Sequence, residues 1–467
     1  MYRMKSSQAE EFIHHGEIVD SLQWARENRA NDALLDAILK KAAARQGLPH
    51  REALLLLYSG RDEEILAIAQ RIKQEFYGNR IVLFAPLYLS NYCVNHCAYC
   101  PYHAQNKRMP RVKLTQGEIA REVTALQDMG HKRLALETGE DPVNNPIDYV
   151  LKSIETIYKI KHKNGAIRRV NVNIAATTVE EYRMLCDAGI GTYILFQETY
   201  HKESYQRLHP AGPKGDYAWH TEAMDRAMRG GIDDVGIGVL FGLTNYLYEF
   251  TALMMHAEHL EAVFGVGPHT VSAPRVRAAE GIDPEAFGGG IDDRTFRKIV
   301  ACIRISAPYT GIIISTRESK ASREMALAAG VSQISGGSRT SVGGYRQPQP
   351  ENTRQFDTVD NRTLDEVVRW LMETGHIPSF CTACYREGRT GDRFMSLCKS
   401  GQIQNCCHPN ALMTLQEYLM DYAAPGTRAL GEDLIKRELS HVPSEKVRSL
   451  VAGYLTRIRE GSRDFRI

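Results

Sequence analysis

From Arg80 onward, short apolar or β-branched runs alternate with stretches whose apolar residues recur every three or four positions. The runs predict strands at Arg80–Ala85, Lys132–Glu137, Arg168–Ile174, Thr192–Gln197, Asp234–Leu240, His269–Ala273, Gly311–Ser315 and Ser332–Ser335. The stretches between them predict helices, among them Gln116–Met129, Ile147–Lys163, Ala218–Arg229, Tyr246–Phe264 and Asp293–Ser306. Eight strands, each followed by a helix or a loop, predict an α/β fold, a parallel TIM-type (β/α)8 barrel. A doubly wound sheet is the alternative, but the count of eight and a span of about 250 residues favour the barrel.

The pattern divides the chain into three parts. Residues 1–78 read as a helical extension, with helical spacing over Asn31–Gln46 and Arg61–Phe76, and are expected to cover the barrel of residues 79–340. Residues 336 to 360 are rich in Gly, Ser, Gln, Pro and Asn, a loop composition that marks the way out of the barrel. Residues 341–467 form the third part, with a helix over Asn361–Thr374, a group of cysteines and a helical tail from about 411 to 460.

Charge changes the picture by exclusion. Lys and Arg number 58 against 56 Asp and Glu, interspersed, for a net charge of +2. That is no electrostatic footprint for nucleic acid. No apolar run approaches the length of a membrane span. The start, Met1-Tyr2-Arg3-Met4-Lys5, runs into polar residues and shows no secretory signal, so a cytoplasmic protein is expected. Of ten cysteines, eight fall in two groups, which suits metal binding in a reducing compartment better than disulfides. The other two, Cys186 and Cys302, sit in helical patterns and read as small buried apolar residues.

The first group is Cys93, Cys97 and Cys100, spaced C-x3-C-x2-C just after the first strand. Three thiolates so close suit a soft metal centre. Structural zinc takes four ligands, commonly as two pairs, and no fourth cysteine is near. A cubane iron–sulfur cluster also takes four, so three local cysteines leave one iron open to a substrate or cofactor. The spacing resembles the cluster-binding loop of the radical S-adenosylmethionine (SAM) superfamily. The resemblance implies that the open iron takes the amino and carboxylate groups of SAM, whose reductive cleavage yields a 5′-deoxyadenosyl radical. Tyr99, just before the last cysteine, fits the same pattern.

In such barrels the active site lies at the C-terminal ends of the strands. The second strand ends in Thr138-Gly139-Glu140, which resembles the turn that holds the methionine amino group in the superfamily, with Thr in place of its first Gly. Asn173, Gln197 and Glu198, at the ends of the third and fourth strands, are further candidates for SAM, or else caps of the helices that follow. Gly236-Ile237-Gly238 lacks the full dinucleotide fingerprint and suggests a close approach to adenine. The seventh strand runs into Ser315-Thr316-Arg317-Glu318. A fixed cation there can hold a substrate carboxylate. Arg317, with Ser315 beside it, is the first choice and Arg323 the second.

The second group is Cys381, Cys384, Cys398, Cys406 and Cys407. Spacing leaves a zinc site, with Cys398 or His408 as fourth ligand, and an iron–sulfur cluster both open. It does not choose between Cys406 and Cys407. Taken as C-x2-C-x22-C behind a barrel with C-x3-C-x2-C, the cysteines resemble the HydG family, the tyrosine-cleaving maturases of iron–iron hydrogenase. The likeness runs from about Gly78 to the end and includes Asn171–Thr178 and Gln197–His201. The tyrosine lyases of thiamine thiazole synthesis share the barrel and lack the C-terminal motif.

The resemblance implies two 4Fe–4S clusters, one at Cys93, Cys97 and Cys100 and an auxiliary one at Cys381, Cys384 and Cys407. It implies cleavage of the Cα–Cβ bond of L-tyrosine to p-cresol and dehydroglycine, then conversion of dehydroglycine to carbon monoxide and cyanide. It further implies an additional iron at the auxiliary cluster, held by His269 and bridged by a free L-cysteine. The partners it implies are the hydrogenase maturation proteins and an electron donor such as ferredoxin or flavodoxin. His269 begins the sixth predicted strand and so faces the end of the barrel opposite the first group. Two other readings stand beside this one: a thiamine-pathway tyrosine lyase and a non-catalytic cluster or metal scaffold.

Overall fold

The computed structural model describes all 467 residues. Eight parallel strands close into a barrel: β1 (Arg80–Ser90), β2 (Arg133–Thr138), β3 (Arg169–Asn173), β4 (Tyr193–Ile194), β5 (Val235–Gly238), β6 (Thr270–Ser272), β7 (Gly311–Ile314) and β8 (Gln333–Ser335). Closure comes from β8 against β1, with Val82 opposite Gln333 and Phe84 opposite Ser335. Strand β4 is shorter than its apolar run because it pairs with β3 only at Tyr193. Toward β5 its backbone bonds continue through Gln197 to the Glu198 carbonyl, which accepts from Leu240 N–H, and Glu198 turns to a φ of 67°.

The period-two alternation of the strands explains what fills the bore. On β2 and β3, Leu134, Leu136, Val170 and Val172 are fully buried beneath the outer helices. Their neighbours Arg133, Ala135, Glu137, Arg169, Asn171 and Asn173 fall on the opposite face, in register across the two strands. Parallel barrels are normally filled by branched apolar layers; here much of the inner face is polar. The bore is also narrow at its glycines. A Cβ on Gly236 would come within 2.5 Å of the Thr270 hydroxyl.

Helices Tyr246–Phe264 and Asp293–Ser306 match their predicted bounds. Two others differ for local reasons. The helix from Ile147 ends at Lys159, where a short hairpin turns on Lys163 at a φ of 53°. The stretch Ala218–Arg229 is two helices, Tyr217–Thr221 and Ala223–Arg229, broken at Glu222, whose carboxylate accepts from the Ala9 N–H. The helix near Asn361 begins at Leu364 because Thr363 and Glu366 form a capping box.

The N-terminal helices lie on the flank of the barrel, not over a mouth. Asp62 meets Lys298 at 2.7 Å, and Glu258 accepts from the backbone N–H of His50. Beyond the barrel, a ninth strand, β9 (Ile377–Ser379), adds beside the first residues of β1, with Arg80 opposite Ile377. It delivers Phe380 and Cys381 to the N-terminal end of the bore, the floor. Helices Gly391–Lys399, Gln404–Asp421, Pro425–Leu439 and Glu445–Arg459 surround that end. Cys302 is fully buried, whereas Cys186 is only half-buried. No helix is long and apolar enough to cross a membrane.

Candidate functional sites at the two ends of the barrel

The cysteine loop after β1 is held rigidly. The Asn91 side chain donates to the Pro110 carbonyl and accepts from the Val112 N–H. The Arg111 guanidinium spans the carbonyls of Asn91, Tyr102 and His103 at 2.7–2.8 Å. The turn after β2 presses against this loop: a Cβ on Gly139 would lie 2.3 Å from the Tyr92 carbonyl oxygen. Only glycine permits that approach. Val94 N–H donates to the Glu140 carbonyl, and the Asn95 amide donates to the Glu140 carboxylate.

Cys93, Cys97, Tyr99, Cys100, Thr138, Gly139, Glu140, Asn173, Glu198 and Arg317 line one cavity of about 140 Å³ at the C-terminal mouth. Ser315 lines its continuation deeper in the bore, which shares Glu137, Asn173 and Arg317. Burial raises the pKa of all three cysteines, that of Cys97 to about 12. Three sulfurs on one cavity, Cys97 buried and Cys93 and Cys100 half-buried, beside Lys214 and close to Asn95 and Tyr99, are a donor set that fits a thiolate-held cluster with one open side. Lys214 reaches Glu198 at 2.9 Å. The Tyr99 hydroxyl lies 2.7 Å from His209 Nε2; since Nδ1 faces the Tyr205 carbonyl, Nε2 accepts.

Two candidates do not reach the cavity. The Gln197 amide points outward and donates to the Thr221 hydroxyl; inward and outward residues alternate, and Phe196 and Glu198 take the inner positions. Arg323 is fully buried behind β8, paired with Asp360 and donating to the Ser335 carbonyl. It anchors the 336–360 loop and, turned to Asp360 instead of the cavity, is not placed as the expected substrate residue. That loop is more than an exit: Gln355 and Phe356 line the upper cavity, Gln355 accepts from Tyr88, and the Arg317 guanidinium stacks 3.5 Å over Phe356.

The most informative residue that sequence reasoning missed is Glu137. It lines both parts of the upper cavity, and burial holds its carboxyl well above the usual range. The rule that selected Asn173, a polar side chain at a strand end, would have found it. Lys214 and Gln355 carry no local signal, because each arrives from a distant loop.

At the floor, Cys381, Cys384, Cys407 and His269 line a second cavity with Arg80, Arg133, Tyr385 and Phe394. Cys406 does not line it, which separates the two adjacent cysteines. Cys398 lies behind, packed with Val266, Phe394 and Cys407. Burial lowers the His269 pKa to about 4, so the imidazole is neutral. Its Nε2 lies 3.1 Å from the Tyr385 hydroxyl and its Nδ1 3.4 Å from Asp234. A neutral imidazole with a carboxylate near one nitrogen has the form of a metal ligand, and three thiols beside it, Cys407 buried and Cys381 and Cys384 half-buried, fit a second thiolate-held group. No three His, Cys, Asp or Glu side chains converge on a single-ion position; the sulfurs line cavities.

Comparison with known proteins follows the same lines. The Radical SAM superfamily matches residues 87–252, and the Biotin and Thiamin Synthesis associated domain matches residues 272–377. The 2-iminoacetate synthase of Escherichia coli K12 is 33% identical over 322 residues, 68% of this chain and 82% of that protein. A crystal structure of HydG, a maturase of the FeFe-hydrogenase, superimposes with a TM-score of 0.95 at 52% identity over 98% of this chain and 100% of that one. HydG from Carboxydothermus hydrogenoformans gives 0.82 at 37% identity over 96% and 99%.

Proposed function

The chain belongs to the radical SAM family that includes HydG and 2-iminoacetate synthase, and from that premise we propose that it is a carbon–carbon lyase acting on L-tyrosine. The Cα–Cβ bond breaks, leaving p-cresol and dehydroglycine. Dehydroglycine then yields carbon monoxide, cyanide and water, a split that balances without an added oxidant. These ligands serve assembly of the iron–iron hydrogenase active site. A second 4Fe–4S cluster at Cys381, Cys384 and Cys407, with an added iron on His269 and a free L-cysteine, completes this reading.

The cluster and SAM, when bound at Cys93, Cys97 and Cys100, supply a 5′-deoxyadenosyl radical that takes hydrogen from the tyrosine amino group. The chain's own groups do the rest. Arg317 holds the tyrosine carboxylate and Ser315 adds a hydroxyl. Glu137, whose carboxyl burial holds well above the usual carboxylate range against the opposing pull of Arg317 and Asn173, lines the same cavity. Leu195, Phe196 and Leu240 form an apolar wall that limits water. A reduced ferredoxin or flavodoxin supplies two electrons, one for SAM cleavage and one that, with a proton, takes the benzylic radical left by Cα–Cβ cleavage to p-cresol.

The observation that carries this reading is the presence of two three-cysteine cavities at opposite ends of one polar bore. The relatives named 2-iminoacetate synthase favour a second reading in which the chemistry stops at the imino acid. Both family matches end before Cys381, so the second cysteine group lies outside the two family models. Anaerobic incubation with SAM, reductant and L-tyrosine tests the first half. The expected result is 5′-deoxyadenosine and p-cresol in step; SAM cleavage without p-cresol would overturn it.

A further inference from the structure

The outer face of the upper cysteine loop is charged unlike the rest of the chain. Lys and Arg nearly balance Asp and Glu overall, 58 to 56, yet from Asn91 to Gly117 there are four bases and no acid. Two of the four, Lys107 and Arg108, are exposed. Lys107 donates to the Ala104 carbonyl at 3.1 Å and meets no carboxylate. Arg108 is 83% exposed and pairs loosely with Glu280 at 3.8 Å. Arg111 spends its guanidinium on the carbonyls of Asn91, Tyr102, His103 and Asn106, which fastens this basic turn to the cysteine loop. The acids on the neighbouring turn are already engaged. Glu140 accepts from the Asn95 amide, and Asp141 accepts from the N–H groups of Val143 and Asn144. Positive charge that the protein leaves exposed and unpaired steers an acidic partner.

The same face is apolar at its centre. Eight large apolar side chains are exposed in the whole chain, and three of them, Val94, Val112 and Val143, gather here at 36%, 36% and 86%. Val94 N–H donates to the Glu140 carbonyl, the Val112 carbonyl accepts from Asn91 N–H, and Lys113 Nζ reaches the Asn144 carbonyl. The cysteine loop, its return segment and the turn after β2 therefore form one surface. Ala98 is exposed on the same loop. An apolar centre within a charged rim is the anatomy of a protein–protein interface. Val94 and Ala98 directly follow Cys93 and Cys97, so their Cα atoms stand about 3.8 Å from those of two candidate cluster ligands.

We propose that this face is the docking surface for the electron donor, a small acidic protein carrying a one-electron flavin or iron–sulfur group. Its carboxylates meet Lys107 and Arg108, and its redox group comes to rest on Val94 and Ala98. Each encounter oxidises the carrier by one electron, which passes inward to the site at Cys93, Cys97 and Cys100. This rests on the reading of that site as one that needs reduction. The substrate enters the barrel mouth, whereas the carrier stays on the outside of the loop.

Reduced acidic flavodoxin is the probe, with dithionite as a donor that needs no docking. Both 5′-deoxyadenosine and p-cresol are followed in the anaerobically reconstituted full chain. Lys107→Glu combined with Arg108→Glu is expected to raise the KM for flavodoxin about tenfold and to leave the dithionite-driven rate unchanged. Lys436→Glu combined with Arg437→Glu, an exposed adjacent pair in the helix Pro425–Leu439 by the floor, alters net charge equally and should keep the wild-type KM. Val143→Asp should raise that KM as well. Binding of oxidised flavodoxin to the immobilised chain should weaken in the same variants. An unchanged KM in the first pair, an equal loss with dithionite, no flavodoxin-driven turnover in the wild type, or equally tight binding of an unrelated acidic protein overturns the surface. Flavodoxin-driven 5′-deoxyadenosine that depends on Lys107 and Arg108, in a protein that makes no p-cresol, would leave the surface standing and remove the tyrosine reading instead.

Discussion

The Tyr385 hydroxyl lies 3.1 Å from Nε2 of His269, so a residue next to Cys384 meets the first turn of the sixth barrel strand. This one hydrogen bond ties the C-terminal cysteine segment to the barrel floor. On the other side of the ring, Asp234 stands behind Nδ1. Nδ1 makes no hydrogen bond, so the Tyr385 contact at Nε2 orients the neutral ring, and Nε2 is the nitrogen that would serve a metal in the proposed reading. In His269→Ala the ratio of carbon monoxide to p-cresol should fall at least tenfold, in line with the loss of a metal ligand or its outer partner. Gas-phase carbon monoxide and chromatographic p-cresol from the same reaction check it. Loss of both products together would mean that His269 serves the first half instead.

Cys406 and Cys407 are neighbours with different surroundings, only the second lining the floor cavity. Cys407→Ala should lose about four irons per chain, one cubane's worth, and Cys406→Ala should keep them. Iron analysis and electron paramagnetic resonance after anaerobic reconstitution decide the matter; the reverse order would assign the ligand to Cys406.

The two arginines after the seventh strand are expected to separate cleanly. Arg317 faces the upper cavity without a protein carboxylate of its own, so Arg317→Lys should raise the KM for tyrosine about tenfold or more. Arg323 is buried against Asp360, which also binds Arg362. Arg323→Met should cost about 3 kcal/mol of stability, since a buried carboxylate loses one of its two partners, and should leave KM alone. Thermal unfolding and steady-state kinetics on both variants test the pair.

Much of this was legible in the chain itself. Short apolar and β-branched runs located all eight barrel strands, and the cysteine spacing pointed to the upper trio. Long-range relations were not legible. Gln197 and Glu198 are adjacent polar residues at one strand end, and only the turn at Glu198 decides which of them faces the bore. Arg323 had a charge and a position, but its partner Asp360 lies beyond the barrel in sequence. Glu137 was available to the same reasoning that chose Asn173. The floor site joins strand starts to a segment more than a hundred residues later, so spacing alone could suggest it only through resemblance.

Stability should fall on mild acidification. His209 and His256 are buried, and burial, the chief cause, lowers each pKa to about 3. The unfolded value is about 6.5, so between those values the unfolded chain binds protons that the folded one refuses. Stability is therefore whole above about pH 6.5 and declines as pH falls below it. His50, whose pKa is raised beside Glu258 and Glu17 despite its burial, acts in the opposite direction and offsets part of the loss. Thermal unfolding at pH 7 and pH 5 should show a lower midpoint at pH 5, and His256→Gln should shrink the difference. An unchanged difference in that variant would contradict the assignment.

The most direct test of the account is one anaerobic turnover with uniformly carbon-13-labelled L-tyrosine, SAM, free cysteine, iron and a reductant. It should give p-cresol, carbon monoxide and cyanide in near-equal amounts, all labelled, from the same protein. Labelled p-cresol with labelled glyoxylate and neither gas nor cyanide would contradict it, because the lower cavity would then have no part in the chemistry.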